Sequence, residues 1–213
     1  MIVLAIDTAG TGCSAALYDS NREIVLGAAG ANIGRGHAER LMEFVDGALE
    51  AAGLDLPAID RIAVTIGPGS FTGIRVGVAA ARGLALALGV PAVGVSTLSA
   101  LAAGRSGPLL VAMDAKRDEV YWQAFTADGS EATPPAIATV EEARAIAQAH
   151  DGDIVGSASA LLREEAAVGT DGVDIATVAR LGARLDPQNH LPKPLYLRGP
   201  DAKPQAGFAI RRA

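Results

Sequence analysis

Short apolar clusters open the chain: residues 2–7, 14–18 and 23–28 are small, mostly apolar runs separated by Gly-rich or Asp-Ser-Asn segments. That punctuation predicts three strands in an antiparallel meander. The period then becomes helical. From His37 to Gly53, Leu41, Met42, Phe44, Val45, Ala48, Leu49 and Ala52 share one broad arc, and Glu39, Glu43, Asp46 and Glu50 lie opposite. Gly53 is the stop, and residues 62–66 read as a buried strand ending in the turn Gly67-Pro68-Gly69. Ser70 is placed to cap a helix that runs to Leu88, with Gly89 just beyond its end. This helix is apolar almost all round, so it is expected to be covered on most sides. Arg75 and Arg82 share a stripe with Phe71, whereas Gly73, Gly77, Ala80 and Leu84 form a small-residue stripe that lets another backbone come close.

Residues 92–95 read as a strand and 98–104 as a short helix, and Gly104-Arg-Ser-Gly-Pro108 is the best boundary between two lobes, 1–104 and 105–186. In the second lobe, strands at 109–113 and 120–126 flank the charged turn Asp114-Ala-Lys-Arg-Asp-Glu119. A helix at 140–150, a strand at 153–155 and helices at 160–168 and 175–185 follow. Residues 187–213 carry Pro187, Pro192, Pro194, Pro200 and Pro204, which predicts an extended strap with a frayed Arg211-Arg212 end. On sequence, the strap either folds back on the first lobe or trails free.

Half of the 213 residues are apolar but only 4% are aromatic, so elements must pack through small side chains. At this length a chain buries roughly 70% of its unfolded surface, enough for one large domain or two small lobes. The balance of 18 Lys and Arg against 24 Asp and Glu leaves a net charge of −6. An acidic chain is a poor stand-alone nucleic-acid binder, because phosphate contacts need clustered cations. Cys13 is the sole cysteine, which excludes an intramolecular disulfide or multi-cysteine zinc site and fits a reducing, cytoplasmic setting. The first residues read as a strand without a basic leader, and the apolar stretch at 76–95 is interrupted by Arg82, Gly83, Gly89 and Pro91, so neither export nor membrane insertion is expected.

Gly67-Pro-Gly-Ser-Phe-Thr-Gly73 invites three catalytic readings that fail on spacing. A phosphate loop needs a Gly-Lys-Ser/Thr end, a dinucleotide fingerprint needs glycine at Thr72, and a nucleophile elbow on Ser70 needs glycine at Pro68 and Thr72. What survives is a tight turn at a helix N-terminus, able to meet an anion or a partner's carboxylate. His37, His150 and His190 have no paired-ligand spacing, so no metal site is expected. Asp7, beside Thr8 and Thr11, either orients a metal-bound water near phosphates or simply forms a turn. Asp114 is its counterpart in the second lobe.

Ile6-Asp-Thr8, His37-Ala-Glu-Arg-Leu41, Ile66-Gly-Pro-Gly-Ser-Phe-Thr-Gly-Ile-Arg75, Val95-Ser-Thr-Leu98, Asp114-Ala-Lys-Arg-Asp-Glu-Val-Tyr-Trp122 and Pro194-Leu-Tyr-Leu-Arg198 follow one another in an order that resembles the TsaB (YeaZ) family of bacterial tRNA threonylcarbamoyladenosine biosynthesis proteins. The resemblance implies an α/β, two-lobed fold of the actin, sugar-kinase and heat-shock-ATPase (ASKHA) type, with mixed sheets flanked by helices. It implies a non-catalytic subunit that partners the paralogous transferase TsaD, works with TsaE and TsaC, forms a homodimer when alone, and meets tRNA only through the complex. ATP and metal would be used by the partner subunits. Against the paralogous enzyme, Thr97 and Leu101 stand where two metal-binding histidines are expected. The phosphate hairpins read Asp7-Thr8-Ala9-Gly10 and Asp114-Ala-Lys-Arg-Asp-Glu119, and the adenosine turn is Gly156-Ser157-Ala158, so Asp7, Thr8 and Asp114 mark a degenerate nucleotide site. The partner face implied lies on His37, Leu41, Met42, Phe44 and Val45 of one helix and on Ser70, Phe71, Thr72, Arg75 and Val76 of the next, with Met42 or Phe44 at the contacting edge. The competing readings are an autonomous peptidase and an autonomous ATPase or small-molecule kinase.

Overall fold

A computed structural model of the chain describes residues 1–164 and 169–198. Part of the predicted helix 160–168, together with Pro200, Pro204, Arg211 and Arg212, lies outside the described residues.

The meander forms as predicted: β1 (Ile2–Asp7), β2 (Gly12–Asp19) and β3 (Ile24–Asn32) pair antiparallel. Helix α1 (His37–Ala52) follows, ending at left-handed Gly53. A short 3-10 turn over Leu56–Ala58 leads into β4 (Arg61–Gly67), which pairs parallel to β1. Helix α2 (Phe71–Leu88) begins on the Ser70 cap, whose Oγ accepts the Gly73 N–H at 3.2 Å, and stops at left-handed Gly89. Strand β5 (Ala92–Ser96) and α3 (Thr97–Ala102) complete this run. The first sheet has the order β3-β2-β1-β4-β5.

The second lobe repeats the plan with β6 (Leu109–Lys116), β7 (Glu119–Phe125), β8 (Ala136–Thr139), α4 (Val140–Gln148) and β9 (Asp153–Val155). Its order is β8-β7-β6-β9, with β6 parallel to β9 and antiparallel to β7, so it matches the first sheet without a fifth strand. Helix α5 (Ser159–Leu162) packs by α4, and Arg163 donates to the carbonyls of Ala147, His150 and Gly152, closing the end of α4. The expected architecture, two lobes of mixed sheet flanked by helices, is present. Strand β8 went unpredicted.

Helices α1 and α2 cover one face of the first sheet around Leu4, Ile6, Leu17, Val45 and Val64. The other face is covered by α6 (Ile175–Arg184), where Val178 and Ala179 pack on Val3, Ala5, Ala63 and Val93. The predicted boundary at residue 105 assigns that helix to the second lobe, and this is corrected: α6 returns to the first. Two local features hold it there. A Cβ on Gly182 would lie 2.2 Å from that of Ala63, so only glycine permits this approach. The Arg61 guanidinium donates to the carbonyls of Gly182, Ala183 and Leu185 at 3.0, 3.0 and 2.9 Å, satisfying the helix end. Beyond α6, residues 187–198 fold back along the first lobe as a strap. The Gly94 N–H donates to the His190 carbonyl and the Leu195 N–H to that of Ile66, both at 2.8 Å.

Candidate functional site

The turn after β1 sits beneath the first turns of α2. The Thr8 hydroxyl donates to the Gly73 carbonyl at 2.7 Å and the Ser70 N–H donates to that of Ala9 at 2.6 Å. A Cβ on Gly73 would stand 2.0 Å from the Thr8 carbonyl oxygen, and one on Gly77 would stand 2.3 Å from Thr8 Oγ1. The backbone that the small-residue stripe of α2 admits, at Gly73 and Gly77, is therefore that of the chain's own hairpin. Asp7 is 6% exposed, and its Oδ1 accepts from Thr65 Oγ1 at 2.6 Å and from the Ala9 N–H at 3.0 Å. Burial pushes its carboxyl above the ordinary range, opposed by those two donors and by the charge of His37. Burial and the Asp7 charge raise the neighbouring Cys13 thiol to about 11, so it stays protonated at neutral pH.

Asp114, the matching residue of β6, has the opposite surroundings. It is partly exposed, bonded by Lys116 Nζ at 2.6 Å and by the Lys116 N–H at 2.8 Å, and held below the usual carboxylate range by that lysine. The Asp114 N–H donates to Ser157 Oγ at 2.8 Å, and Ser157 donates through its N–H and Oγ to the two carboxylate oxygens of Asp171. Both second-lobe loops are thus tied to one another. Lys116, Arg117 and Asp118, at the tip between β6 and β7, all have left-handed backbones, with φ of 62°, 57° and 63°. Each such non-glycine residue stores about 1 kcal/mol or more and needs its surroundings to hold it.

The outward sides of α1 and α2 differ from what their sequences predict. His37 is buried, with Nε2 in reach of the carbonyls of Gly10 at 3.2 Å and Gly12 at 3.1 Å. Leu41, Phe44 and Val45 belong to the core, so of the five α1 residues proposed as a partner face only Met42, 42% exposed, points outward. Ser70 is engaged as the helix cap and Val76 is half-buried, whereas Phe71, Thr72 and Arg75 are exposed. Instead of being covered on most sides, α2 is only 33% buried. Phe71 is 56% exposed and Leu86 86%, with exposed Thr72, Arg75, Ala79, Arg82 and Gly83 between them. By length and composition α2 could cross a membrane, but its buried side is docked on β4.

A strap residue, missed by periodicity because it lies outside any helix, completes the start of this face. The Tyr196 ring lies 5.5 Å from that of Phe71, the Arg75 guanidinium stands 3.7 Å over the Phe71 ring, and Arg75 Nε donates to the Tyr196 hydroxyl at 2.7 Å. Beside Leu86, an open groove of about 450 Å³ is lined by Arg82, Gly83, Ala85, Ala92 and Pro192.

Residues 27–169 match the model of the family TsaD, tRNA N6-adenosine threonylcarbamoyltransferase. The chain is 40% identical over 133 residues to the tRNA threonylcarbamoyladenosine biosynthesis protein TsaB of Escherichia coli, an alignment covering 60% of this chain and 56% of that one. YeaZ from Pseudomonas aeruginosa superposes with a TM-score of 0.72 at 28% identity, covering 92% of this chain and 99% of that one. The chain belongs to the TsaD family, in its TsaB (YeaZ) branch. A relative over almost its full length is the uncharacterized protein Mb3455c of Mycobacterium bovis, 37% identical over 96% of this chain and 95% of that one.

Within this TsaB-family fold the residues present do not suit a metal. Thr97 is buried with its hydroxyl unpaired, Leu101 offers no donor atom, and no group of three His, Cys, Asp or Glu among the described residues could hold an ion. The nucleotide loops do not suit a phosphate either: the first is filled by Gly73 and Gly77 of α2, and the second presents Asp114, Asp118 and Glu119.

Proposed function

We propose that this chain is a non-catalytic, activating subunit of the tRNA threonylcarbamoyladenosine modification system, docking through the outward side of α2 on a TsaD-type transferase. The observation that carries the reading is that side itself. It is acid-free over the whole helix, and it exposes Phe71 and Leu86 beside two arginines. Large exposed apolar residues flanked by Arg are the usual anchors of protein interfaces. The neighbouring α1 surface carries Met42 among Glu39, Glu43, Asp46 and Glu50. A partner that covers both helices needs an acidic stripe against α2 and a basic one against α1, which orients the docking. A second copy can meet that requirement by crossing α1 over α2, which supports a homodimer on the same surface when the partner is absent.

Family membership supports the pathway, and the filled first hairpin with the acid-bearing second one supports the lack of chemistry. Under this reading ATP and metal are handled by the transferase and TsaE, TsaC supplies the threonylcarbamoyl donor, tRNA is held by the assembly rather than by this acidic chain, and all of this takes place in the cytoplasm.

The test mixes the chain with TsaD, TsaC, TsaE, ATP, threonine, bicarbonate and unmodified tRNA, then omits it. Modification should fall to background, and an unchanged rate without the chain rejects the proposal. Phe71→Asp and Leu86→Asp should each weaken TsaD binding by about tenfold or more while leaving the melting temperature nearly unchanged, since both side chains are exposed.

The peptidase reading draws on one observation. A solved Pseudomonas aeruginosa chain of TM-score 0.71 and 29% identity, with 92% of this chain and 99% of that one covered, is described as similar to peptidase YEAZ. Ser70→Ala should then abolish peptide cleavage, and calorimetry with Mg-ATP separates the ATPase reading in the same way.

A further inference from the structure

The strap joins the outward start of α2 to the tip between β6 and β7. At residue 196 it lies on the exposed start of α2. Two residues later, the Arg198 guanidinium grips the tip between β6 and β7: it bonds Glu119, with Nε to Oε2 at 2.8 Å, and donates to the carbonyls of Ala115 at 3.1 Å and Lys116 at 3.3 Å. That tip is the one with three successive left-handed residues. Such a run persists only where neighbouring groups over-determine it, and Arg198 donates to Glu119 and to two carbonyls on its flanks. The strap is fixed between its ends as well. The Leu195 N–H is anchored on Ile66, and a Cβ on Gly94 would stand 2.9 Å from the Leu191 carbonyl oxygen.

We infer that the strap is a latch between the lobes: Arg198 holds the β6–β7 tip, and Tyr196 presents that state to whatever docks on α2. The second half of this inference rests on the docking proposed above; the first stands without it. An occupant of α2 that packs on Phe71 and Arg75 also covers Tyr196. It therefore prefers the strap in its latched position and binds more tightly when Arg198 is seated. Reciprocity of linked equilibria requires that docking in turn hold the second-lobe tip more firmly. The device needs no nucleotide: the tip is held by a side chain of this chain.

Hydrogen exchange on the full-length chain, free and with TsaD, tests both halves. In the free chain, Arg198→Ala should speed exchange of the amides at 116–120 about tenfold while amides in β1 and β4 stay unchanged; unaltered exchange at the tip in a folded variant overturns the latch. Measured by calorimetry, the same variant should bind TsaD about five- to tenfold more weakly, although Arg198 does not lie on α2. Faster tip exchange with wild-type affinity overturns the coupling. Tyr196→Phe, which keeps the ring and removes the bond to Arg75, should weaken binding by about two- to threefold and serves if Arg198→Ala fails to fold. Should the unaltered chain not bind TsaD at all, the docking proposal and the coupling fall together, and the exchange data still decide the latch.

Discussion

Asp7 and Asp114 are the sixth residues of β1 and β6, strands in the same position of two matching sheets, yet one carboxyl is sealed and the other open. The first hairpin turn is Thr8-Ala9-Gly10, small enough for α2 to close over it through Gly73 and Gly77. The second is a tight two-residue turn, Arg117-Asp118, between charged strand ends, its carboxylate at Asp114 answered by Lys116 and its backbone held by the strap. The first lobe's turn lies flush beneath a glycine-bearing helix whose other side is exposed. The second lobe's tip is closed by salt bridges and a run of left-handed residues. Matching topology thus carries a sealed hairpin in one lobe and an open one in the other, without any change of strand order.

The largest expected break in this contrast is Gly73→Val. Its Cβ would run into the Thr8 carbonyl, and overpacking on this scale should destabilise the chain by about 3 kcal/mol, read as a fall in the urea midpoint without a change in slope. Asp7→Asn sharpens the electrostatic half. The folded-state pKa of Asp7 is raised by burial, so the protonated acid stabilises the fold fully below the unfolded pKa, and that stabilisation is lost as pH rises through the folded value. The amide cannot ionise. The melting temperature of Asp7→Asn relative to the unaltered chain should therefore climb as pH rises above the ordinary carboxyl value and level off once the raised folded value is passed, and a pH-independent difference would show that Asp7 is charged in the fold. The smallest effect is expected at the open hairpin, where Asp118→Gly relieves a left-handed backbone and should stabilise by up to about 1 kcal/mol in a thermal melt.

Local chemistry made much of this legible. Ser70 and Gly89 bound α2 as caps, Gly53 ends α1, and the switch from alternating to helical spacing at His37 falls where the helix starts. What escaped depends on contacts across the chain. His37 opens a helix, where a surface role is the natural expectation, but the turn after β1 brings two carbonyls to its ring. Phe44 lies at the edge of a wide apolar arc, and only the tertiary packing shows that the core extends to include it. The glycines of α2 signal close approach correctly, but spacing cannot tell whether the approaching backbone is the chain's own. Strand β8 is four residues of Ala, Ile and Thr after two prolines, too short for alternation to register. Tyr196 and Arg198 stand in a segment without periodicity, and their partners lie 121 and 79 residues away.

The return of α6 to the first sheet also matters during synthesis. Ile175 follows Ser96 by 79 residues, and ribosomes add about 5–20 residues per second. For roughly 4–16 s, then, the nascent first sheet has its α1 and α2 side covered and Val3, Ala5, Ala63 and Val93 bare on the other. That is an adhesive surface on a half-made protein until the helix carrying Gly182 emerges and covers it.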